Sequence, residues 1–94
     1  MEEKAKMIAE LLKLLANENR LLIFCALMNE PMTVGEISKI IPNITQPALS
    51  QHLTLLKAAK ILDSKKSGAS ITYFIADHRV EEIIAVLKKH YCDV

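Results

Sequence analysis

The chain has only two glycines, three histidines and two cysteines, and no apolar run reaches eighteen residues. Each scarcity excludes something. Two isolated glycines cannot build a phosphate-cradling loop. Three scattered histidines do not make a catalytic site, and no Ser-His-Asp order accompanies them. Cys25 and His90 could pair as nucleophile and base, but nothing supplies an orienting group, so no enzyme is expected. The lack of a long apolar run leaves no candidate membrane span. The opening Met1-Glu2-Glu3-Lys4 is acidic and lacks a signal-peptide pattern. Two cysteines in such a chain are expected to be thiols at rest in a reducing cytoplasm. Repeats, low-complexity tracts and linkers are also missing, so residues 1–94 are expected to form one domain, with no cofactor.

Apolar residues, by contrast, are abundant, at 51% of only 94 residues. A domain this small has more apolar surface than it can easily hide, which favours an oligomer. Net charge is only +1, but it is unevenly spread. Residues 1–36 carry four basic and six acidic side chains, residues 37–79 six basic and two acidic, and residues 80–94 two basic and three acidic. The basic excess therefore falls in the middle of the chain.

Hydrophobic periodicity divides the chain into short elements. Residues 3–15 read as a helix, with Met7, Ile8, Leu11, Leu12, Leu14 and Leu15 forming a broad apolar face. Asn17 can cap a second helix to about Met28; its run Leu21 to Met28 is apolar on every side, as a central buried helix would be. Asn29-Glu30-Pro31 ends it. Thr33 and Glu36 make a capping box for a short third helix to about Ile40. After the connector Ile41-Pro42-Asn43-Ile44, Thr45 can cap a fourth helix whose first turn tolerates Pro47. Two β-prone runs, Ile61 to Lys66 and Ile71 to Ile75, flank Ser67-Gly68-Ala69-Ser70 and read as a hairpin. Asp77 can cap a last helix containing Val80, Ile83, Ile84, Val86 and Leu87. The expected fold is mainly α with a small β-hairpin, a winged helix-turn-helix in the order α-α-α-α-β-β-α.

The fourth helix carries the functional reading. Leu49, Leu53 and Leu56 recur at helical spacing and can anchor it to a core. Thr45, Gln46, Ser50, Gln51 and His52 then project from its leading end, where hydrogen-bonding side chains can read a major groove. Lys65 and Lys66 beside the hairpin tip suit phosphate contact from a wing. The expected partner is an operator in double-stranded DNA.

This arrangement resembles the ArsR/SmtB family of winged-helix repressors over nearly the whole chain. The marks are Leu14-Leu15-Ala16-Asn17-Glu18-Asn19-Arg20-Leu21, then Gln46-Pro47-Ala48-Leu49-Ser50-Gln51-His52-Leu53, then Gly68 to Phe74. The resemblance implies a homodimer joined by first and last helices, which reads an inverted-repeat operator and leaves it on sensing an inducer. The apolar residues expected at that interface are Met7, Ile8, Leu11, Leu15, Ile84 and Leu87.

Family members differ in what they sense. The arsenic and cadmium type has a Cys-x-Cys in the third helix, where this chain has Thr33 and Gly35. The zinc type pairs Asp-x-His with His-x-x-Glu across the dimer. Here Asp77, His90 and Asp93 fit, but Arg79 occupies the remaining ligand position, and a guanidinium cannot ligate. The sulfide- and oxidant-responsive branch is a closer resemblance, with one cysteine in the second helix and one at the end of the last. It implies that Cys25 and Cys92 are the redox-sensing pair, bridged by reactive sulfur species as a disulfide or longer polysulfide. Lys88, Lys89 and a protonated His90 would lower the Cys92 thiol pKa, whereas the helix C-terminus would oppose this.

Overall fold

The computed structural model describes residues 1–91. It contains α1 (Glu2–Leu15), α2 (Glu18–Asn29), β1 (Met32–Thr33), α3 (Val34–Ile40), α4 (Gln46–Ala58), β2 (Leu62–Ser67), β3 (Ser70–Ile75) and α5 (His78–Tyr91). The five helices and the hairpin lie where the sequence puts them. The added element is β1. Its two residues pair antiparallel with β3, Met32 opposite Tyr73 and Thr33 opposite Thr72, so the expected hairpin is one side of a three-stranded sheet of order β1-β3-β2. A two-residue strand has no periodicity of its own to detect, and only the β3 edge defines it.

Local chemistry explains the boundaries. Asn17 accepts from the Arg20 backbone N–H at 3.1 Å and starts α2. The Thr33–Glu36 capping box is complete, with Thr33 N–H donating to Glu36 Oε1 at 2.9 Å and Glu36 N–H to Thr33 Oγ1 at 3.2 Å. The Thr33 backbone N–H foremost, and then the Thr33 hydroxyl, hold the Glu36 carboxyl below its ordinary pKa. Thr45 Oγ1 accepts from Ala48 N–H at 3.3 Å and starts α4. α4 ends in a Schellman arrangement, with Ile61 N–H to Leu56 carbonyl at 3.0 Å and Lys60 N–H to Lys57 carbonyl at 2.9 Å. Lys60, at φ 64°, takes the left-handed position usually given to glycine. At the hairpin tip Gly68 takes φ 61°, as the two-residue turn demands.

The core is formed by Ile23, Phe24, Ala26 and Leu27 of α2, Ile37 and Ile41 around α3, Leu49, Leu53 and Leu56 of α4, Ile61 and Leu62 leading into the wing, and Val80 and Ile84 of α5. Among the described residues no polar or charged side chain is buried. α2 packs against α5, β3, α1 and α3 and is the central helix. It is not covered on every side, because Leu22 is exposed and Cys25 half-buried. α1 differs most from the other helices. Only Leu15 at its end is buried, and its first nine residues, Glu2 to Glu10, are all exposed.

Candidate nucleic-acid interface and cysteine site

α4 offers the solvent a polar face while Leu49, Leu53 and Leu56 hold its other side in the core. Gln46 and Gln51 are exposed and Ser50 is half-buried. Thr45 is exposed, and its oxygen already accepts from the helix backbone, leaving its hydroxyl proton to donate. Ser50, Gln51, Thr54, Leu55 and Ala58 line one shallow, open hollow along the outer face. Thr54 and Leu55 were not singled out from sequence, although Thr54 lies four residues after Ser50 and three after Gln51, the spacing of one helix face.

His52 departs from the expected outward projection. Its ring is half-buried, and Nδ1 accepts a hydrogen bond from Arg20 Nε at 3.2 Å. Burial and then the Arg20 charge lower its pKa. Position 52 falls between the exposed Gln51 and the fully buried Leu53, at the shoulder of the helix where it meets the body.

The wing places Lys65 and Lys66 on β2, both exposed, opposite Thr72 and Ile71 on β3. Lys57, in the last turn of α4, donates from Nζ to Ser64 Oγ at 2.7 Å. This links the α4 end to the wing, a contact that the sequence spacing alone did not suggest.

Cys25 lies at the α2–α5 contact. With Leu21, Ile84, Leu87, Lys88 and Tyr91 it lines a cavity of about 250 Å³. Tyr91 immediately precedes Cys92, so the cavity wall runs to the neighbour of the second expected cysteine. Cys92 and Asp93 lie outside the described residues.

Of the alternative metal ligands, Asp77 is engaged by Arg79. Arg79 Nη2 reaches Asp77 Oδ2 at 2.7 Å, while its Nε and its backbone N–H reach Oδ1 at 3.1 and 2.9 Å. These bonds hold the Asp77 carboxyl below its ordinary range, the side-chain bond from Arg79 foremost. A cation would have to displace that guanidinium. His90 is exposed near the other end of α5. Among the described residues no three His, Cys, Asp or Glu side chains gather as a metal site.

The family of bacterial regulatory proteins called the arsR family matches residues 17–64. The chain is 35% identical to the transcriptional activator HlyU of Vibrio cholerae, over 98% of this chain and 84% of that protein. It is 36% identical to the biofilm growth-associated repressor of Agrobacterium fabrum, over 98% of this chain and 78% of that one. A structure of reduced HlyU from Vibrio cholerae superimposes with a TM-score of 0.92 at 34% identity, covering 99% of this chain and 97% of the other. The repressor BigR of Xylella fastidiosa superimposes with a TM-score of 0.88 at 31% identity, covering 100% and 95%. The anchored polar helix, the wing and these matches agree: the chain belongs to the ArsR family of DNA-binding transcriptional regulators, built as a winged helix-turn-helix, and is not an enzyme.

Proposed function

We propose that this protein is a dimeric repressor that releases its operator when Cys25 and Cys92 are modified by reactive sulfur species or oxidant. The observation that carries the sensing part is the cavity between α2 and α5 that Cys25 lines. A cysteine packed only as a small hydrophobe would be sealed in the core, whereas Cys25 is half-buried at a cavity that ends beside Tyr91. A thiolate there attacks the outer sulfur of a hydropersulfide, expelling a thiolate and leaving a cysteine persulfide. The second cysteine attacks the inner sulfur of that persulfide, forming the disulfide and expelling hydrosulfide. With another oxidant, the two thiols lose two electrons and two protons to it.

In this reading, Gln46, Ser50 and Gln51 face the DNA beside the Thr45 cap, His52 is turned aside into its bond with Arg20, and Lys65 and Lys66 meet phosphates. The dimer is joined through α1 and α5. Leu15 and Ile84, expected from sequence at that interface, belong to the subunit's own core, at 4% and 1% exposure. The exposed apolar residues offered to a partner are Met7, Ile8 and Leu12 on α1 with Val86, Leu87 and Tyr91 on α5. A link between α2 and the end of α5 would act next to this surface. A shift there changes the spacing of two recognition helices that must fit successive grooves, about 34 Å apart. A tenfold loss of occupancy needs only about 1.4 kcal/mol.

The test is an operator titration beside intact mass spectrometry, before and after treatment with an organic persulfide or peroxide. Treated wild type is expected to show a Cys25–Cys92 bridge and weakened binding, and Cys25→Ser and Cys92→Ser to keep the DNA. A response that survives both substitutions would reject the thiol switch. Zinc-driven release from the double variant would favour Asp77, His90 and Asp93.

A further inference from the structure

Arg20 is fixed along its whole length. Its backbone N–H donates to the Asn17 cap at 3.1 Å, its Nη1 to the Leu14 carbonyl at 3.3 Å, and its Nε to His52 Nδ1 at 3.2 Å. The Leu14 carbonyl lies in the last turn of α1, where helix carbonyls lack intrahelical donors. One guanidinium therefore ties the end of α1 and the start of α2 to the shoulder of α4. Arginine nitrogens only donate, so Nδ1 is the acceptor and a neutral His52 ring carries its proton on Nε2.

We propose that Arg20 is a positioning residue for the recognition helix, and that the Arg20–His52 joint makes DNA reading sensitive to pH. The inference rests on the reading that α4 contacts DNA. Leu49, Leu53 and Leu56 fix the depth of α4, but apolar contacts are not directional. The bond to His52 is directional and lies one residue from Gln51, so it sets the roll of the helix about that apolar seam.

Proton uptake at Nδ1 removes the acceptor and places an imidazolium against a guanidinium. Charged groups on the elements around α4 include Lys13 on α1, Glu18 and Arg20 on α2, Glu36 and Lys39 on α3, and Asp63, Lys65 and Lys66 on β2. Of these, Arg20 is the one that acts on the ring. Burial works in the same direction, so the joint is intact at neutral pH and opens only below the ordinary histidine range. The sign is diagnostic. A histidine whose only task was to touch phosphate would strengthen DNA binding on protonation, whereas this joint weakens it.

The test uses the full chain and a duplex selected from a random pool, titrated at fixed ionic strength from about pH 7.5 to about pH 4.5, through and below the ordinary histidine range. Wild-type affinity for the selected duplex is expected to fall about tenfold, equal to about 1.4 kcal/mol. His52→Asn puts an amide oxygen near the place of Nδ1 and cannot titrate. It is expected to keep the neutral-pH affinity and flatten the profile. Arg20→Ala is expected to weaken selected-site binding at neutral pH and raise the His52 pKa. Long-range proton–nitrogen NMR of the free protein is expected to show the Nε2–H tautomer at neutral pH, independently of DNA. Wild type that selects no duplex would refute DNA reading by α4, and the tautomer would then decide the joint alone. An Nδ1–H tautomer, or affinity that rises on acidification and loses that rise in His52→Asn, would overturn the proposal.

Discussion

At the scale of single residues, the chain satisfies its backbone demands with polar caps at helix starts and with one unusual choice at a helix end. Asn17, Thr33 and Thr45 each bind a first-turn N–H that would otherwise lack a partner. Lys60, in contrast, holds a left-handed φ of 64° with a side chain attached. A side chain in that region costs about 1 kcal/mol relative to glycine. Lys60→Gly is therefore expected to raise the urea midpoint by an amount worth up to about 1 kcal/mol, the flexibility of glycine in the unfolded chain offsetting part of the gain. An unchanged or lower midpoint would show that Lys60 makes a compensating contact.

At the scale of elements, α4 and the wing work as a pair, joined by the Lys57–Ser64 bond. Their proposed DNA contacts differ in kind, and so do the expected losses. Gln51→Ala removes a side chain that can form a bidentate bond to adenine. It is expected to cost about 1–3 kcal/mol on the selected site and to relax base preference there. Lys65→Ala removes a wing cation, with an expected similar weakening on all duplexes and a slope of log affinity against log salt about one unit shallower. Binding titrations on selected and scrambled duplexes at several salt concentrations separate the two. Loss of base preference from the wing variant alone would reverse the assigned roles.

At the scale of the whole molecule, the apolar excess is divided between a dry core and an uncovered margin. The subunit spans 45 × 30 × 22 Å, and the leading part of α1 stays outside the core. Met7 is 63% and Ile8 56% exposed there, and Tyr91 on α5 is 83% exposed. Such a surface is expected to be buried between two copies. Sedimentation is expected to give a dimer at micromolar concentration. Met7→Glu with Ile8→Glu is expected to give folded monomers, since neither side chain supports the core, and to lose operator affinity with dimerisation. A wild-type monomer would reject this assembly.

Caps and turns act between residues a few positions apart, so Asn17, the Thr33–Glu36 box, Thr45 and Gly68 placed the elements from sequence alone. The spacing of Leu49, Leu53 and Leu56 likewise determined which side of α4 faces inward. Other features needed the fold. β1 exists because β3 passes beside Met32 and Thr33. The Arg20–His52 bond joins residues 32 positions apart, which no local pattern encodes. Composition showed that apolar surface was in excess, but not where it would lie. Packing put Leu15 and Ile84 inside and left Met7, Ile8 and Val86 outside, because which face of a helix is covered depends on its neighbours. The sequence by itself determined the five helices, the hairpin and the family; tertiary structure decided β1 and what the elements share, because those contacts form only when distant segments are packed together.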